Sequence, residues 1–332
     1  MNAAITSVCI VIVNFRSADL VIDCLRSMAE QPSLLDRIRV IVVDNASGDG
    51  SVEKLTATVE AASWSRWATV VPLHRNGGFA FGCNAGVREA LKQAPQLQYV
   101  MFLNPDTVVH AGAVETLVAF LDSHQNAGIA GSRIVNSAGE VERSAHHIPT
   151  PVGELAVAAR LGFLSRFRGR AQHSSEASPR ECDWVSGASL IVRRTVLQAV
   201  GELDEGFFLY FEELDFCLRA QKAGWKVYFV PEACITHFEG AVTGITDVAR
   251  RRPAYWYNSR RRYFIKHFGA MGLVVADILW AIGRTTLVLR RMLRLGSGGR
   301  EQDPKWLAFD LLWGDFRALL AGEALRIRKV HR

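Results

Sequence analysis

Cysteine is sparse and scattered in this 332-residue chain: the six, at 9, 24, 83, 182, 217 and 234, include no Cys-x-x-Cys pair. That argues against a zinc ribbon, a thioredoxin-type centre and a secreted disulfide scaffold, and leaves free thiols in a reducing compartment as the expectation. The chain lacks the GxGxxG spacing of dinucleotide-binding folds and the GK[ST] of a P-loop. No zinc-finger or RNA-binding signature occurs, so nucleic acid is not an expected partner. Internal repeats and low-complexity tracts are missing as well. The first apolar run, Val8 to Val13, has six residues and no basic stretch before it. It is too short for a signal peptide and reads as a buried strand. What remains is 49% hydrophobic and 22% charged, a composition that excludes wholesale disorder and suits one large α/β domain or two smaller ones.

The charge is uneven. Residues 250–332 carry 18 lysines and arginines against 6 acids, a net of +12, whereas residues 1–249 carry 21 against 27, a net of −6. An acidic body with a basic tail points the tail at something anionic, either a phospholipid surface or a phosphate-bearing ligand. A simply solvated basic surface is the alternative.

Strand-like and helix-like segments alternate through the first half. Ser7–Val13, Arg37–Val43, Ala68–Leu73, Gln98–Leu103 and Gly128–Val135 are apolar, β-branched runs. Between them Ala18–Glu30, Ser51–Ala61, Phe79–Gln93 and Gly112–Ser123 have helical spacing. This alternation predicts a mostly parallel central sheet with helices on both faces. From Ser137 to Glu181 the pattern fades into a long, partly helical excursion. It resumes with a strand at Asp183–Arg193, a helix at Glu212–Lys222 and a strand at Lys226–Val230. Pro253–Phe268, Met271–Leu295 and Trp306–Leu320 read as C-terminal helices, with a break at Gly296–Arg300.

In parallel sheets ligands bind beyond the carboxyl ends of the strands, so the polar residues there matter most. They are Asn14, Asp44 with Asn45, Asn76, and Asn104 with Asp106. Asp44 can accept hydrogen bonds from a ribose hydroxyl or a base N–H, while Asp49 suits helix capping. Gly77 and Gly78, ahead of Phe79, let the backbone approach a ligand closely, or form a plain turn. Asp106 can hold Mg²⁺ or Mn²⁺ against a diphosphate, or cap the next helix. Glu212 and Glu213 open a helix, where acids benefit from the dipole in any case, and Asp215 can pair with Arg219 four residues on. Trp184, Ser186 and Gly187 suit a sugar-binding wall, with core packing as the alternative for the tryptophan.

Five segments in order, IVIVNFRS, VVDNASGDGS, RNGGFAFGCNAG, FLNPDT and GFFLYFEELDFCLRAQKAGW, resemble the family 2 glycosyltransferases over roughly residues 7–240. The Asn-Gly-Gly-Phe-Ala and Asn-Pro-Asp wording is most similar to the bacterial rhamnosyltransferase-like branch. The resemblance implies the GT-A nucleotide-diphospho-sugar transferase fold over residues 1–249, with a nucleotide-sugar half (1–136) and an acceptor-side half (137–249), and a helical extension over 250–332. It implies an inverting glycosyltransferase using a nucleotide-diphosphate sugar, dTDP-β-L-rhamnose by the branch, on a glycan or lipid-linked acceptor of the cell envelope. Asn14, Asp44, Asn45 and the segment Asn76, Gly77, Gly78, Phe79 and Asn84 would hold the nucleoside. Asp106 carries over from the family's Asp-x-Asp motif as a metal ligand. Asn104 replaces the motif's first acid with a neutral amide and becomes a sugar contact. His237 is the second metal or diphosphate contact. Glu213 takes the place of the catalytic base, with Glu212 on the acceptor side beside Trp184, Ser186 and Gly187. A nucleotidyltransferase and a non-catalytic nucleotide-sugar-binding module are the competing classes.

In the tail, Asp277, Arg284 and Arg291 recur every seven residues. The expectation is a helix lying in the membrane surface, at the cytoplasmic side, with Leu279, Trp280 and Leu287 entering the lipid. A helix packed on the catalytic domain or in a homodimer interface is the alternative.

Overall fold

The computed structural model describes residues 8–160, 178–238, 250–293 and 303–329. Most of the Ser137–Glu181 excursion beyond Arg160 and the break at Gly296–Arg300 lie outside them. The described residues fall into two compact units, one drawn from 8–148 and 178–238, the other from 149–160, 250–293 and 303–329. The second unit thus takes in residues 149–160, which the sequence groups with the catalytic body.

The first unit is built on twelve strands: β1 (Val8–Asn14), β2 (Ile38–Asp44), β3 (Ala68–Pro72), β4 (Tyr99–Leu103), β5 (Thr107–Val109), β6 (Ala127–Val135), β7 (Val141–Glu142), β8 (Ala145–His146), β9 (Arg180–Cys182), β10 (Trp184–Val185), β11 (Ser189–Arg193) and β12 (Lys226–His237). Ten form one sheet ordered β3-β2-β1-β4-β11-β6-β12-β5, with β7 on β6 and β9 on β12, while β8 and β10 pair separately. The run β3-β2-β1-β4 is parallel. β11 runs antiparallel to both β4 and β6, and β12 returns parallel to β6.

β1 shows why this sheet forms. All seven of its residues are buried, and successive side chains alternate between two cores. Val8, Ile10 and Ile12 join the helices Ala18–Ala29 and Ala113–Ser123. Cys9, Val11 and Val13 join the helix Phe79–Gln93 and part of Glu212–Lys222. A strand covered on both faces reads as a continuous apolar run, as this one does.

The expected strand Asp183–Arg193 is divided, because the Ser186–Gly187 turn separates β10 from β11. β12 runs seven residues past the expected Val230, through a register irregularity between Val230 and Cys234. That extension carries His237 to the end of the sheet.

The second unit is helical. Its longest helix, Ala254–Met292, breaks at Gly269, whose φ of 76° is open to glycine at little cost. This is the boundary between the two helices read from the sequence. The unit's other helices among the described residues are Gly153–Ala158, Leu307–Leu320 and Glu323–Lys329. At its centre Arg260 reaches Asp277 (2.9 Å), Asp315 (3.1 Å) and Glu154 (2.9 Å). Arg261 holds the other oxygen of Asp315 at 2.7 Å. Gly283 packs so closely on the Leu155 carbonyl that a Cβ would sit 2.5 Å from its oxygen.

This arrangement reverses the expected orientation of the tail helix. Asp277 faces Arg260, and Arg284 donates to the Ala158 carbonyl and to Asp303. Trp280 and Leu287 are buried and Leu279 is partly covered. The charged residues at 277 and 284 therefore mark the packed side of the helix, and the apolar residues expected in lipid include two core residues.

Candidate active site

The carboxyl ends of β1, β2 and β4 lie together, and the chain leaves β1 toward β2 on one side and β4 on the other. Crevices for ligands form at such reversals of strand order. At this edge Asn14 and Asp44 are register partners. Asp44 accepts from the Asn14 amide at 2.7 Å, from the Ser47 hydroxyl at 2.5 Å and from the Ser47 N–H at 3.0 Å. The side-chain oxygen of Asn14 accepts in turn from the Ser17 N–H and hydroxyl. Asn14 and Asp44 are both buried and together clamp the two loops that follow their strands. Asp49 accepts from the Ser51 N–H and hydroxyl, but it stands one position ahead of the N-cap, which is Gly50, so it closes the turn into the helix Ser51–Ala61 without being the expected cap.

Asn45, Asn76, Gly77 and Gly78 form one network. The Asn45 amide donates to the Asn76 side chain and to the Gly78 carbonyl, both at 3.0 Å. Asn76 accepts from the Gly78 N–H, and Asn45 from that of Gly77. Gly78 has φ of 91°, and a Cβ there would lie 2.1 Å from the Phe208 carbonyl oxygen. The same oxygen accepts from the Phe79 N–H at 2.7 Å. The close approach that the paired glycines permit is thus made by the chain itself, to the loop that leads into the acidic helix. Asn84 lies elsewhere: its amide holds the Leu203 carbonyl and Glu205, and its oxygen the Leu203 N–H. It braces that same loop.

Past β4, Asn104, Asp106 and His237 converge. His237 Nε2 stands 3.3 Å from Asp106 Oδ1 and 3.3 Å from the Asn104 amide nitrogen. β5 makes this possible, because Thr107 pairs with His237 across to β12 and the Phe238 N–H donates to the Asp106 carbonyl. The three-residue β5 was not expected from the sequence. Among the described residues no cluster of three histidine, cysteine or acidic side chains is set to hold a metal. The donor set at this corner is one carboxylate, one imidazole and one neutral amide. Mg²⁺ and Mn²⁺ are held by one or two carboxylates with phosphates and water completing the shell, and Mn²⁺ also accepts imidazole. Asp106 and His237 fit such an ion with a diphosphate present.

The acidic pair meets the turn ahead of β11, the strand next to β4. The Asn104 N–H donates to the Ala188 carbonyl, which brings the Ser186–Ala188 turn against the Asn-Pro-Asp corner. A Cβ on Gly187 would lie 3.5 Å from Glu213 Oε1, so the turn lies directly against that carboxylate. The helix Glu212–Lys222 starts after Tyr210 and Phe211, which have φ of 69° and 71°. Bulky residues in this region are uncommon, and adjacent pairs of them gather where function constrains the chain. No glycine or asparagine signals the turn in the sequence. Burial raises the pKa of both Glu212 and Glu213, and the neighbouring Glu213 charge raises that of Glu212 further. Glu213 keeps some surface open, whereas Glu212 is closed off. The buried Oε2 of each has no hydrogen-bond partner among the described residues. Asp215, by contrast, is paired with Arg219 at 2.9 Å, as its spacing predicts.

Trp184 contributes less to an open wall than its position suggests. One ring face stacks on His146 at 4.1 Å, and its indole N–H donates to the His147 carbonyl. Ser186 is pinned by its N–H on the Ser144 carbonyl. Gly187 is the member of that segment that lies directly against an acid.

The comparisons agree with this geometry. The glycosyl transferase family 2 model matches residues 9–188, and the glycosyl transferase family group 2 model matches 99–320. An N-acetylglucosaminyl-diphospho-decaprenol L-rhamnosyltransferase of Mycobacterium tuberculosis is 29% identical over 278 residues, 80% of this chain and 85% of that protein. The rhamnosyltransferase WbbL of Escherichia coli is 27% identical over 49% of this chain and 62% of its own length. Among solved structures, the mannosyltransferase PcManGT of Pyrobaculum calidifontis, in complex with GDP-Man and Mn²⁺, superposes with a TM-score of 0.53 at 15% identity, covering 97% of this chain and 82% of that one. TarS of S. aureus gives 0.51 at 14% identity, over 97% and 83%. At these identities the structures speak for the fold alone. With one family model over more than half its length and a strand-edge site carrying an Asn-Pro-Asp corner and an acid pair, the chain belongs to glycosyl transferase family 2, as a rhamnosyltransferase-like glycosyltransferase of the GT-A fold.

Proposed function

We propose that the chain transfers L-rhamnose from dTDP-β-L-rhamnose, with inversion, onto a hydroxyl of a glycan or lipid-linked acceptor of the cell envelope. The observation that carries the chemistry is Glu213, a half-buried acid whose buried Oε2 has no partner among the described residues, one turn of chain from the Asn104–Asp106 corner. A raised pKa moves a carboxylate toward neutral pH, where a general base works best, and such bases contribute about 10²–10⁴ in rate. Glu213 takes the proton from the acceptor hydroxyl as its oxygen attacks the anomeric carbon from the face opposite the leaving diphosphate. Glu212, deeper and more strongly pushed toward its neutral form, orients its neighbour or meets a second acceptor hydroxyl.

Asp106 and His237 would hold a divalent cation, which supplies charge to offset what builds on the diphosphate. Asn104 faces the sugar. The Asn45–Asn76–Gly78 network shapes the nucleoside subsite, with the Asn14–Asp44 clamp behind it. Rhamnose as the sugar rests on the names of the relatives, and so does the lipid-linked acceptor. The cytoplasm is the place of reaction, in line with six free thiols.

A screen of nucleotide sugars for slow hydrolysis and thermal stabilisation, with and without Mn²⁺ or Mg²⁺, tests this reading. We expect dTDP-rhamnose with metal to give the largest shift. A preference for a UDP- or GDP-sugar would replace the donor while leaving the site assignment standing.

A further inference from the structure

We propose that the second unit docks on the surface of an anionic phospholipid bilayer through the exposed apolar ridges of its helices, lying in the interface without crossing it. After the Gly269 break, Met271, Val275, Ile278, Ile282, Leu289 and Met292 are exposed. Their spacing of three, four and seven residues puts them on one side of the helix. Met271 and Met292, at its two ends, are 72% and 75% exposed. A second ridge runs along Leu307–Leu320, where Trp306, Phe309, Trp313, Phe316 and Leu320 are exposed at alternating steps of three and four. Consecutive rings stand 6.1, 6.4 and 5.6 Å apart. The other side of this helix buries Leu311, Asp315 and Ala318. Two apolar ridges on one small unit exceed the scattered hydrophobics of an ordinary soluble surface, and tryptophan-rich ridges suit the lipid headgroup boundary.

Charge selects the occupant. Along the second ridge the exposed cations are Lys305, Arg317 and Arg326. The acids nearby are engaged: Asp303 with Arg160 and Arg284, Asp310 with Arg251, and Glu323 with Arg261. A cationic rim around an apolar face fits anionic headgroups, whereas a second copy would set like charges against each other. The long helix has the length and a stretch of mean hydropathy 1.6 sufficient to cross a bilayer. Its inner side forbids that, because Asp277, Gly283 and Arg284 are tied to Arg260, the Leu155 backbone and Asp303. Crossing would carry those charges into hydrocarbon.

The inference is independent of which sugar is transferred. The test is flotation of the full chain with phosphatidylcholine vesicles, with and without phosphatidylglycerol, alongside Ile282→Glu, Trp313→Glu and the double variant. Val141→Glu, at an exposed position of the first unit, is the control. We expect binding only with phosphatidylglycerol, weakened at least about tenfold by each ridge substitution and unchanged in the control. Brominated lipid should quench the parent and lose that increment in a Trp306→Phe, Trp313→Phe variant. Donor hydrolysis should persist in all variants, which keeps a failure here distinct from a failure of the proposed activity. Absence of binding by the parent would overturn the proposal, as would undiminished binding by the double variant. So would a parent dimer that the same substitutions dissociate without any vesicle binding.

Discussion

In the second unit Glu154, Asp277 and Asp315 close around the guanidinium of Arg260, and Arg261 takes the remaining oxygen of Asp315. In the first unit Glu212 is buried and Glu213 half-buried beside it, each with one buried oxygen that has no hydrogen-bond partner among the described residues. Both units pay desolvation for their carboxylates. The second compensates it with cations at hydrogen-bond distance; at the start of the helix Glu212–Lys222 only Asp215 has such a partner, Arg219, and the acid pair before it has none among the described residues. Compensated acids organise a fold, and acids left uncompensated at the edge of a sheet are held ready for a proton or a ligand. The two clusters should therefore respond in opposite ways to neutral substitution.

The largest effect is expected at the metal corner. Asp106→Ala should remove the metal-dependent part of nucleotide-diphosphate binding, by more than the roughly 10–100-fold that loss of a supporting group costs a metal site. Isothermal titration with dTDP, with and without Mn²⁺, checks it, and equal affinity in variant and parent would take Asp106 out of the site. Next comes Arg260→Gln, which strands Glu154 and Asp277 and leaves Asp315 to Arg261 alone. It should destabilise the chain by about 3–5 kcal/mol, read by urea denaturation, while the folded fraction keeps its affinity for donor. A loss of donor affinity in a fully folded variant would break the division of roles between the units.

The smallest effect is a slope. Burial pushes the Asp277 carboxyl up from 3.8 to about 7, Arg260 opposes the shift and Asp315 adds to it. The folded state therefore holds this proton more tightly than the unfolded chain does. The corresponding stability is complete below about pH 4 and is lost as pH rises through 7. Asp277→Asn should flatten the dependence of the urea midpoint between pH 5 and 8. An unchanged slope would assign that dependence to other groups.

How far the sequence carries depends on whether a signal is local. Ser51–Ala61, Phe79–Gln93 and Glu212–Lys222 read to the residue because periodicity and flanking turns agree. Asp106 and His237, 131 positions apart, were paired through family resemblance; only β5 and the extension of β12 explain how they meet. Those strands are short or irregular and leave little pattern. Tyr210 and Phe211 adopt a conformation for which glycine would be the usual signal. In the tail the recurrence at 277 and 284 was legible, but which side of the helix faces solvent depends on Arg260, a helix-half away. The apolar series at 271, 275, 278 and 282 was present in the same residues. Length and charge alone do not say which of the two stripes meets a partner.

The central claim is that Glu213 remains a half-buried acid without a cation partner because it is the base. The direct measurement is Glu213→Gln, assayed together for sugar transfer, donor affinity and thermal midpoint. Because burial raises the folded-state pKa of this acid, its ionisation destabilises the fold as pH climbs above the ordinary glutamate range. Glutamine removes that penalty. The account predicts turnover lower by about 10²–10⁴, unchanged donor affinity, and a midpoint at pH 8 equal to or above the parent's. Parental turnover in Glu213→Gln, with Glu212→Gln inactive, would move the base by one residue, and parental turnover in both would contradict the account.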